Sequence, residues 1–493
     1  MTDGAGRRRT TRKSASSTRR VGPSPRRGTS TRRGARTRSD AAARVARRLA
    51  AAGVEAVALP IVDTAGVTLV KTIPLRRFEE AVRFGIGLSP VFSVFLFDDN
   101  ITSSPHIHGP VGDTRLMPDP SATVPLAASP GWALAPVDQL DQEGKEYPAC
   151  PRTFARTTID RLGAAGFELR GGYEVEFFLG RRTFTSEGET DPVPAHNGPA
   201  YGSIALVDVE PFATSLIRAF EAQGTGVMQF HPEYSTGQLE LSVPHVPGIS
   251  IADTNLVVRH TIRAVARTHG FAASFAPVVW AGLVGNGAHL HLSIWDRRGR
   301  NLFDRGRGPE GMTREAEAFT AGILDALPAL TAITAPSVVS YQRLQPHRWS
   351  GPWAAWGREN REAALRFITG MVGGRAQAAN LEVKSMDPAA NPYLALGAIV
   401  AAGIDGLERD LSLPQPVLDD PADLDEQARR RLGVRQLPAT LGEAIKELEA
   451  SEMLRRAMGD VLFDAFVATR RAERDAYEDM DPEEAVRAHR WKY

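Results

Sequence analysis

This chain is poor in the features that build stapled, exported or membrane-embedded proteins. Its 493 residues include one cysteine, Cys150, so no internal disulfide framework can form and a reducing cytosol suits it. No run of about 18 apolar residues occurs, so no membrane-spanning helix is expected. Tandem arginines lie near the start, but no apolar segment follows them as an export signal requires. A cytoplasmic location is therefore expected, and no internal repeat is visible. Neither sign of charge dominates overall, the net being +1. The balance is nevertheless uneven: residues 1–40 carry 13 Lys+Arg and 2 Asp+Glu, leaving 46 and 56 for the remainder. That basic segment is rich in Ser, Thr, Gly and Pro without apolar periodicity, so disorder is expected across it. A nucleic-acid tail is its functional alternative, although nucleic acid is not the expected partner.

From residue 41 the composition turns globular, and the length suits two units, 41–150 and 151–493. Residues 41–52 read as a short helix, with strands at 54–62, 67–73 and 91–97, a small α+β unit dominated by strands. Beyond Phe154 the pattern predicts helices over 154–165, 212–223, 250–268, 313–328, 391–409, 439–449 and 450–477, separated by strands. The proline-rich stretch 411–437 reads as a loop or short-helix excursion.

Those strands carry acids and imidazoles where apolar residues should be hiding. Glu174 and Glu176 are two apart and leave the same strand face. Glu233 and Glu240 bracket a Ser-Thr-Gly turn able to fold both toward one point. His289 and His291 share a face after Val284-Gly-Asn-Gly287. Glu382 lies just before Asp387-Pro-Ala-Ala-Asn-Pro-Tyr-Leu394, a helix entry capped around Asp387 or Asn391. Arg343, Arg358, Arg361 and Arg366 cluster ahead of it. Each piece alone has an ordinary explanation, such as a solvated strand face, a surface hairpin or a satisfied core histidine. Together they need a cation, because a buried carboxylate costs several kcal/mol unless something positive holds it. Carboxylate-rich ligation favours Mg²⁺ or Mn²⁺ over zinc. Metal beside arginine suits phosphoryl transfer, where charge neutralisation does most of the work.

At these residues the chain resembles the glutamine synthetase family, class I, in its branch of γ-glutamyl-amine ligases, from roughly residue 50 onward. The motifs that carry the resemblance are Glu174-Val-Glu176, His231-Pro-Glu233, Gly237-Gln-Leu-Glu240, His289-Leu-His-Leu-Ser293 and the Asp387 to Leu394 stretch. It implies an α+β fold with a small N-terminal β-grasp domain and a larger C-terminal catalytic α/β domain. It also implies self-association into stacked rings, a dodecamer being the expected assembly, with a neighbour's N-terminal domain completing each site. ATP and Mg²⁺ (or Mn²⁺) are the implied cofactors, and a small carboxylate and an amine the implied substrates. One metal would be held by Glu176, Glu233 and Glu240, the second by Glu174, His289 and Glu382. His291 and Ser293 match nucleotide-contacting positions, Arg361 and Arg366 match arginines on the ATP phosphates, and Arg343 matches a substrate-carboxylate arginine. In the family's reaction ATP phosphorylates a carboxylate, and an amine attacks the acyl phosphate to form an amide.

Departures from the glutamine-forming members concern the substrates. Lys384 replaces an arginine, keeping the charge but losing the bidentate fork. Val284 replaces an asparagine beside Gly285 at the amino-acid position, and Gln377-Ala-Ala-Asn380 replaces basic residues near the nucleotide. Trp349 falls where the family has its flap glutamate, which helps to deprotonate ammonium. Trp349, Trp353 and Trp356 are three of seven tryptophans, read as an apolar wall built for an organic amine. Asp98 or Asp99 would keep the deprotonating role. No tyrosine lies between Tyr393 and Tyr477, so the family's adenylylation control is not expected. The expected activity is an ATP- and Mg²⁺-dependent ligase joining glutamate to an amine other than ammonia, with the tryptophans tilting the choice toward a monoamine. The alternatives are an ordinary glutamine synthetase, a carboxylate other than glutamate, and a catalytically silent binding protein.

Overall fold

The computed structural model describes residues 29–493 apart from 187, with side chains from Arg38 onward. Two strand-bearing units follow one another along the chain. In the first, the hairpin Ala56–Val62 and Thr68–Pro74 pairs antiparallel, and Trp132–Leu134 joins Ala56–Val62 in parallel. A second sheet of three strands combines Ile86–Leu88, Thr114–Pro118 and Val137–Leu140. Helices Thr29–Ala51 and Phe78–Phe84 cover this unit's own core of Leu49, Val57, Leu59, Phe78 and Leu116.

The second unit is built on an eleven-stranded sheet. Its main path runs from Gln229–Pro232 through Gln238–Ser242, the long Phe167–Arg181 and Ala288–Asp296 to Asn380–Val383, Ala363–Ile368 and Trp353–Arg358. Neighbours along this path are antiparallel except Trp353–Arg358 with Ala363–Ile368, which run parallel. Arg314–Thr334 and Pro392–Glu408 pack closely enough that a Cβ on Gly322 would lie 2.2 Å from the Ala402 carbonyl oxygen. Arg314–Thr334 is long and apolar enough to cross a membrane, but 83% of its apolar window is buried inside the molecule.

One segment of the second unit both caps a helix and docks the first unit. Asn391 Oδ1 accepts the backbone N–H groups of Tyr393 and Leu394 at the start of Pro392–Glu408. Its Nδ2 donates to the carbonyls of Val62 and Asp63 in the hairpin. The hairpin turn comes so close that any Cβ on Gly66, at φ +85°, would lie 1.8 Å from the Ala389 oxygen. The capping motif is thus also the seam between the units.

Several expected boundaries move. The helix expected from residue 41 starts at Thr29, so 29–40 are helical and not an irregular tail. Arginine is a good helix former, and extending an existing helix costs less than nucleating one, so the helix needs no apolar periodicity there. The rest of the expected tail, 1–28, lies outside the described residues. The strand expected over 91–97 is a 3₁₀ turn, Pro90–Val94, entered through Pro90 and capped by Ser89. The helix expected over 212–223 is Ser203–Gln223, which starts well before residue 212 and carries Pro211 inside it. The helix expected over 450–477 breaks at Gly459, φ +74°, into Glu452–Met458 and Asp460–Tyr477. A final helix, Pro482–His489, was not expected at all.

Candidate active site

Strand register places the acids opposite the imidazoles. Glu240 lies across from both His231 and Glu176. Glu174 lies across from His289, and Glu382 across from both His291 and Arg366. Residues directly opposite share a sheet face. The two-residue spacings within Glu174/Glu176 and His289/His291 keep that face continuous over six strands.

Two groups of donor atoms form on this face. Glu174, His291 and Glu382 bring ligand atoms within 4.8 Å of one another, as do His231, Glu233 and Glu240. His289 links the first group to Glu176, with Nδ1 2.9 Å from Glu174 Oε1 and 3.4 Å from Glu382 Oε1, and Nε2 3.7 Å from Glu176 Oε1. The expected sets were Glu176/Glu233/Glu240 and Glu174/His289/Glu382. The geometry draws His231 into the first and His291 into the second. Tyr201 donates its hydroxyl to Glu233 Oε1 at 2.9 Å and stacks on the His231 ring. Gln238 Nε2 and the Gly287 N–H both donate to Glu176 Oε2. A Cβ on Gly287 would lie 2.3 Å from His289 Nε2, so a side chain there would displace that ring.

The electrostatics show acid in excess. Burial pushes Glu240 far above the usual carboxylate range, and repulsion from Glu174, Glu176 and Glu233 adds to it. Burial would also raise Glu174, but the His289 hydrogen bond and the nearby imidazole charges outweigh it and hold the group down at about 2. For Glu382, burial is overcome by Lys384, the two histidines and Arg366. Lys384 Nζ lies 3.2 Å from Glu382 Oε1, and Arg366 Nη1 3.1 Å from Glu382 Oε2.

These residues fit divalent cations. His291 Nδ1 faces Asn380 Oδ1 at 3.0 Å, which puts the proton on Nδ1. Its buried Nε2 has no hydrogen-bond partner among the described residues and faces Glu174 Oε2 at 3.6 Å. A carboxylate-rich set with a lone-pair nitrogen suits Mg²⁺ or Mn²⁺. Buried Arg343 Nη1 and Arg366 Nε also lack partners among the described residues, which suits an anionic ligand.

The clusters open into a cavity of about 700 Å³. Glu174, Glu176, Glu233, Glu240, His289, Arg343, Arg361, Lys384, Gly285 and Trp349 all line it. Other expected residues fall elsewhere. Ser293 Oγ accepts the Trp295 indole N–H and does not reach the cavity lining. Asp98 accepts the Tyr477 hydroxyl at 2.8 Å, and Asp99 is exposed with Lys492 3.7 Å away. Neither aspartate lines its own chain's cavity. The tryptophan wall reduces to one ring. Trp356 is buried and donates to the Pro414 carbonyl, and Trp353 packs against Ala355, Val417 and Val434 under the Arg429 guanidinium. Adjacent residues of a strand face opposite ways and the stretch is buried on both sides, so these two serve the core. Trp349 alone stays half exposed at the mouth, its ring edge-on to Tyr234. The sequence reading missed Tyr201, Gln238, Asn380 and the ligand-like placement of His231. Only His231 had a visible signal, its position two residues before Glu233.

A sheet face of this kind, with guanidinium donors beside it, suits metal-assisted chemistry on an anionic substrate. Residues 148–488 match the glutamine synthetase catalytic domain and residues 40–151 the glutamine synthetase N-terminal domain. The chain belongs to the glutamine synthetase family of amide-forming ligases. Among its relatives is the γ-glutamylpolyamine synthetase GlnA3 of Streptomyces coelicolor, 49% identical over 444 residues, covering 90% of this chain and 94% of that protein. The glutamine synthetase of Pyrococcus horikoshii is 32% identical, covering 86% of this chain and 90% of its own length. Among solved structures, a crystal structure described as a novel glutamine synthase homolog superposes with a TM-score of 0.77 at 34% identity, over 88% of this chain and 97% of the other. Ligand-free GmaS superposes with a TM-score of 0.75 at 29% identity, over 90% and 98%.

Proposed function

We propose that the protein joins the γ-carboxyl of glutamate to one end of an aliphatic di- or polyamine, using ATP and Mg²⁺ or Mn²⁺. The observation that carries the reading is the continuous face from the two carboxylate–imidazole clusters to a mouth lined by Trp349 and Tyr234. The 49% identity to a γ-glutamylpolyamine synthetase supports the amine class and reverses the tilt toward a monoamine.

Glu233, Glu240 and His231 would hold one cation, with Glu176 beside them. Glu174, Glu382 and His291 would hold the other, with His289 beside them. Bound there, the cations supply charge neutralisation for the transferred phosphoryl group. Arg361 and Arg366 would grip phosphate oxygens, and Arg343, anchored on His289 Nε2 at 3.1 Å, would orient the glutamate. Lys384 offers a single charge where a guanidinium fork would clamp both oxygens. Walls of Tyr201, Leu283 and Val284 would limit water at the acyl phosphate. Rings of subunits belong to the same proposal, because Asp98 and Asp99 lie away from their own chain's cavity and a neighbour's copies would be needed to take the amine proton. Light scattering gives the subunit number, and a monomer would sink that part.

The test is product identification by mass spectrometry after incubation with ATP, Mg²⁺, glutamate and a panel of amines. Glutamate labelled with ¹⁸O in the γ-carboxyl should pass one labelled oxygen to phosphate. A γ-glutamyl polyamine with labelled phosphate supports the proposal. Glutamine as the sole product would show an ordinary glutamine synthetase instead.

A further inference from the structure

One more acid is buried beside the mouth, and the chemistry above does not use it. Glu362 is 7% exposed and does not itself line the cavity; it stands directly behind Trp349, which does. Its Oε1 accepts the Trp349 backbone N–H at 2.8 Å, and its buried Oε2 has no hydrogen-bond partner among the described residues. A carboxylate oxygen left without a donor is costly, so the arrangement asks for a cation or a proton.

The surroundings favour a cation. Asn360 accepts the Glu362 N–H and donates to the carbonyls of Val417 and Asp419, which pins the following loop alongside. On that loop Asp420 Oδ2 lies 3.1 Å from His347 Nδ1, and Asp423 joins the same group. Two acids therefore share one imidazole next to Glu362. The nearby basic groups are committed elsewhere: Arg348 donates to the carbonyls of Gly282 and Leu283, and Lys384 to Glu382. Burial first, then Asp420, raises the Glu362 pKa. Across the mouth the Trp349 and Tyr234 rings, 6.4 Å apart at 70°, offer apolar edges for methylenes and π faces for an ammonium group.

We propose that Glu362, supported by Asp420 and flanked by Trp349 and Tyr234, binds the distal ammonium of a di- or polyamine whose other nitrogen is acylated at the carboxylate–imidazole face. This rests on the amine-ligase reading and adds a residue that tells a diamine from a monoamine of equal length. A hydrogen bond to a charged group, once lost, weakens binding by roughly ten- to a hundredfold.

The measurement is kcat/KM for putrescine and for n-butylamine at saturating ATP and glutamate, in the wild type, Glu362→Gln and Asp420→Asn. Glutamine keeps an oxygen for the Trp349 N–H and removes the charge. The wild type should prefer putrescine by at least about tenfold, and Glu362→Gln should lose most of that ratio, mainly through KM. Asp420→Asn should lose a smaller part, and it serves alone if Glu362→Gln does not fold. A wild type with no preference for putrescine defeats the polyamine reading itself. A wild type that prefers putrescine, with both variants keeping the full ratio, defeats only the subsite. Equal losses for both amines would make Glu362 a support for Trp349 and also overturn the subsite.

Discussion

The carboxylate–imidazole face and the amine mouth are parts of one cavity built by different means. The face is carried on strands, and its side chains are fixed by cross-strand register, as in Glu240 opposite Glu176 and His289 opposite Glu174. The mouth is carried on loops in costly backbone conformations: Tyr201, His347 and Trp349 have φ of 56°, 60° and 53°. Such left-handed non-glycine residues persist where the surroundings hold them, and they concentrate at functional sites. Metal-assisted chemistry is suited to the rigid part, and the proposed choice of amine would fall on loops, where a chain can vary.

That contrast can be broken at either end. The largest effect should come from Glu382→Ala, which removes the residue facing His291, Arg366 and Lys384 at once. Turnover should fall about a thousandfold with every amine tested, and near-normal turnover would show that the face is misassigned. A control outside both regions concerns acid stability. His489 is buried against Phe97, and burial lowers its pKa to about 4. The unfolded chain binds that proton first, near pH 6.5, so the stability present above pH 6.5 is lost as pH falls toward 4, by about 3 kcal/mol. Glu382→Ala should keep that acid limb in thermal melts, and His489→Gln should flatten it. A wild-type melt with no slope over this range would remove His489 from the account. His231→Asn should weaken Mg²⁺ about tenfold to a hundredfold, read from the Mg²⁺ dependence of turnover. No change would leave His231 as a mere neighbour of Glu233. The smallest effect should be Trp349→Ala, moving amine selectivity by roughly tenfold while the KM for ATP stays put. A shift in ATP instead would couple the mouth to the face.

The face was legible because strand periodicity and acid spacing are local properties. Glu174, Glu176, Glu233, Glu240, His289 and Glu382 could be grouped before any coordinates. How they divide was less legible, because His231 and His291 enter through pairing between distant strands. The mouth was hardly legible. Three tryptophans within eight residues looked like one wall, yet burial takes Trp353 and Trp356 into the core and leaves Trp349. Glu362 drew no notice, because its meaning depends on a hydrogen bond to Trp349 and on a loop some 60 residues later. The helix over Thr29–Ala51 escaped for the opposite reason: its first half lacks the apolar stripe that a sequence reading looks for.

The most direct test of the central claim is phosphate release from ATP with Mg²⁺ and glutamate, comparing putrescine with ammonium at equal concentration. Release with putrescine and little with ammonium is the expected result. Release with ammonium alone would mean that the face serves glutamine formation and that Trp349 does not set the nucleophile.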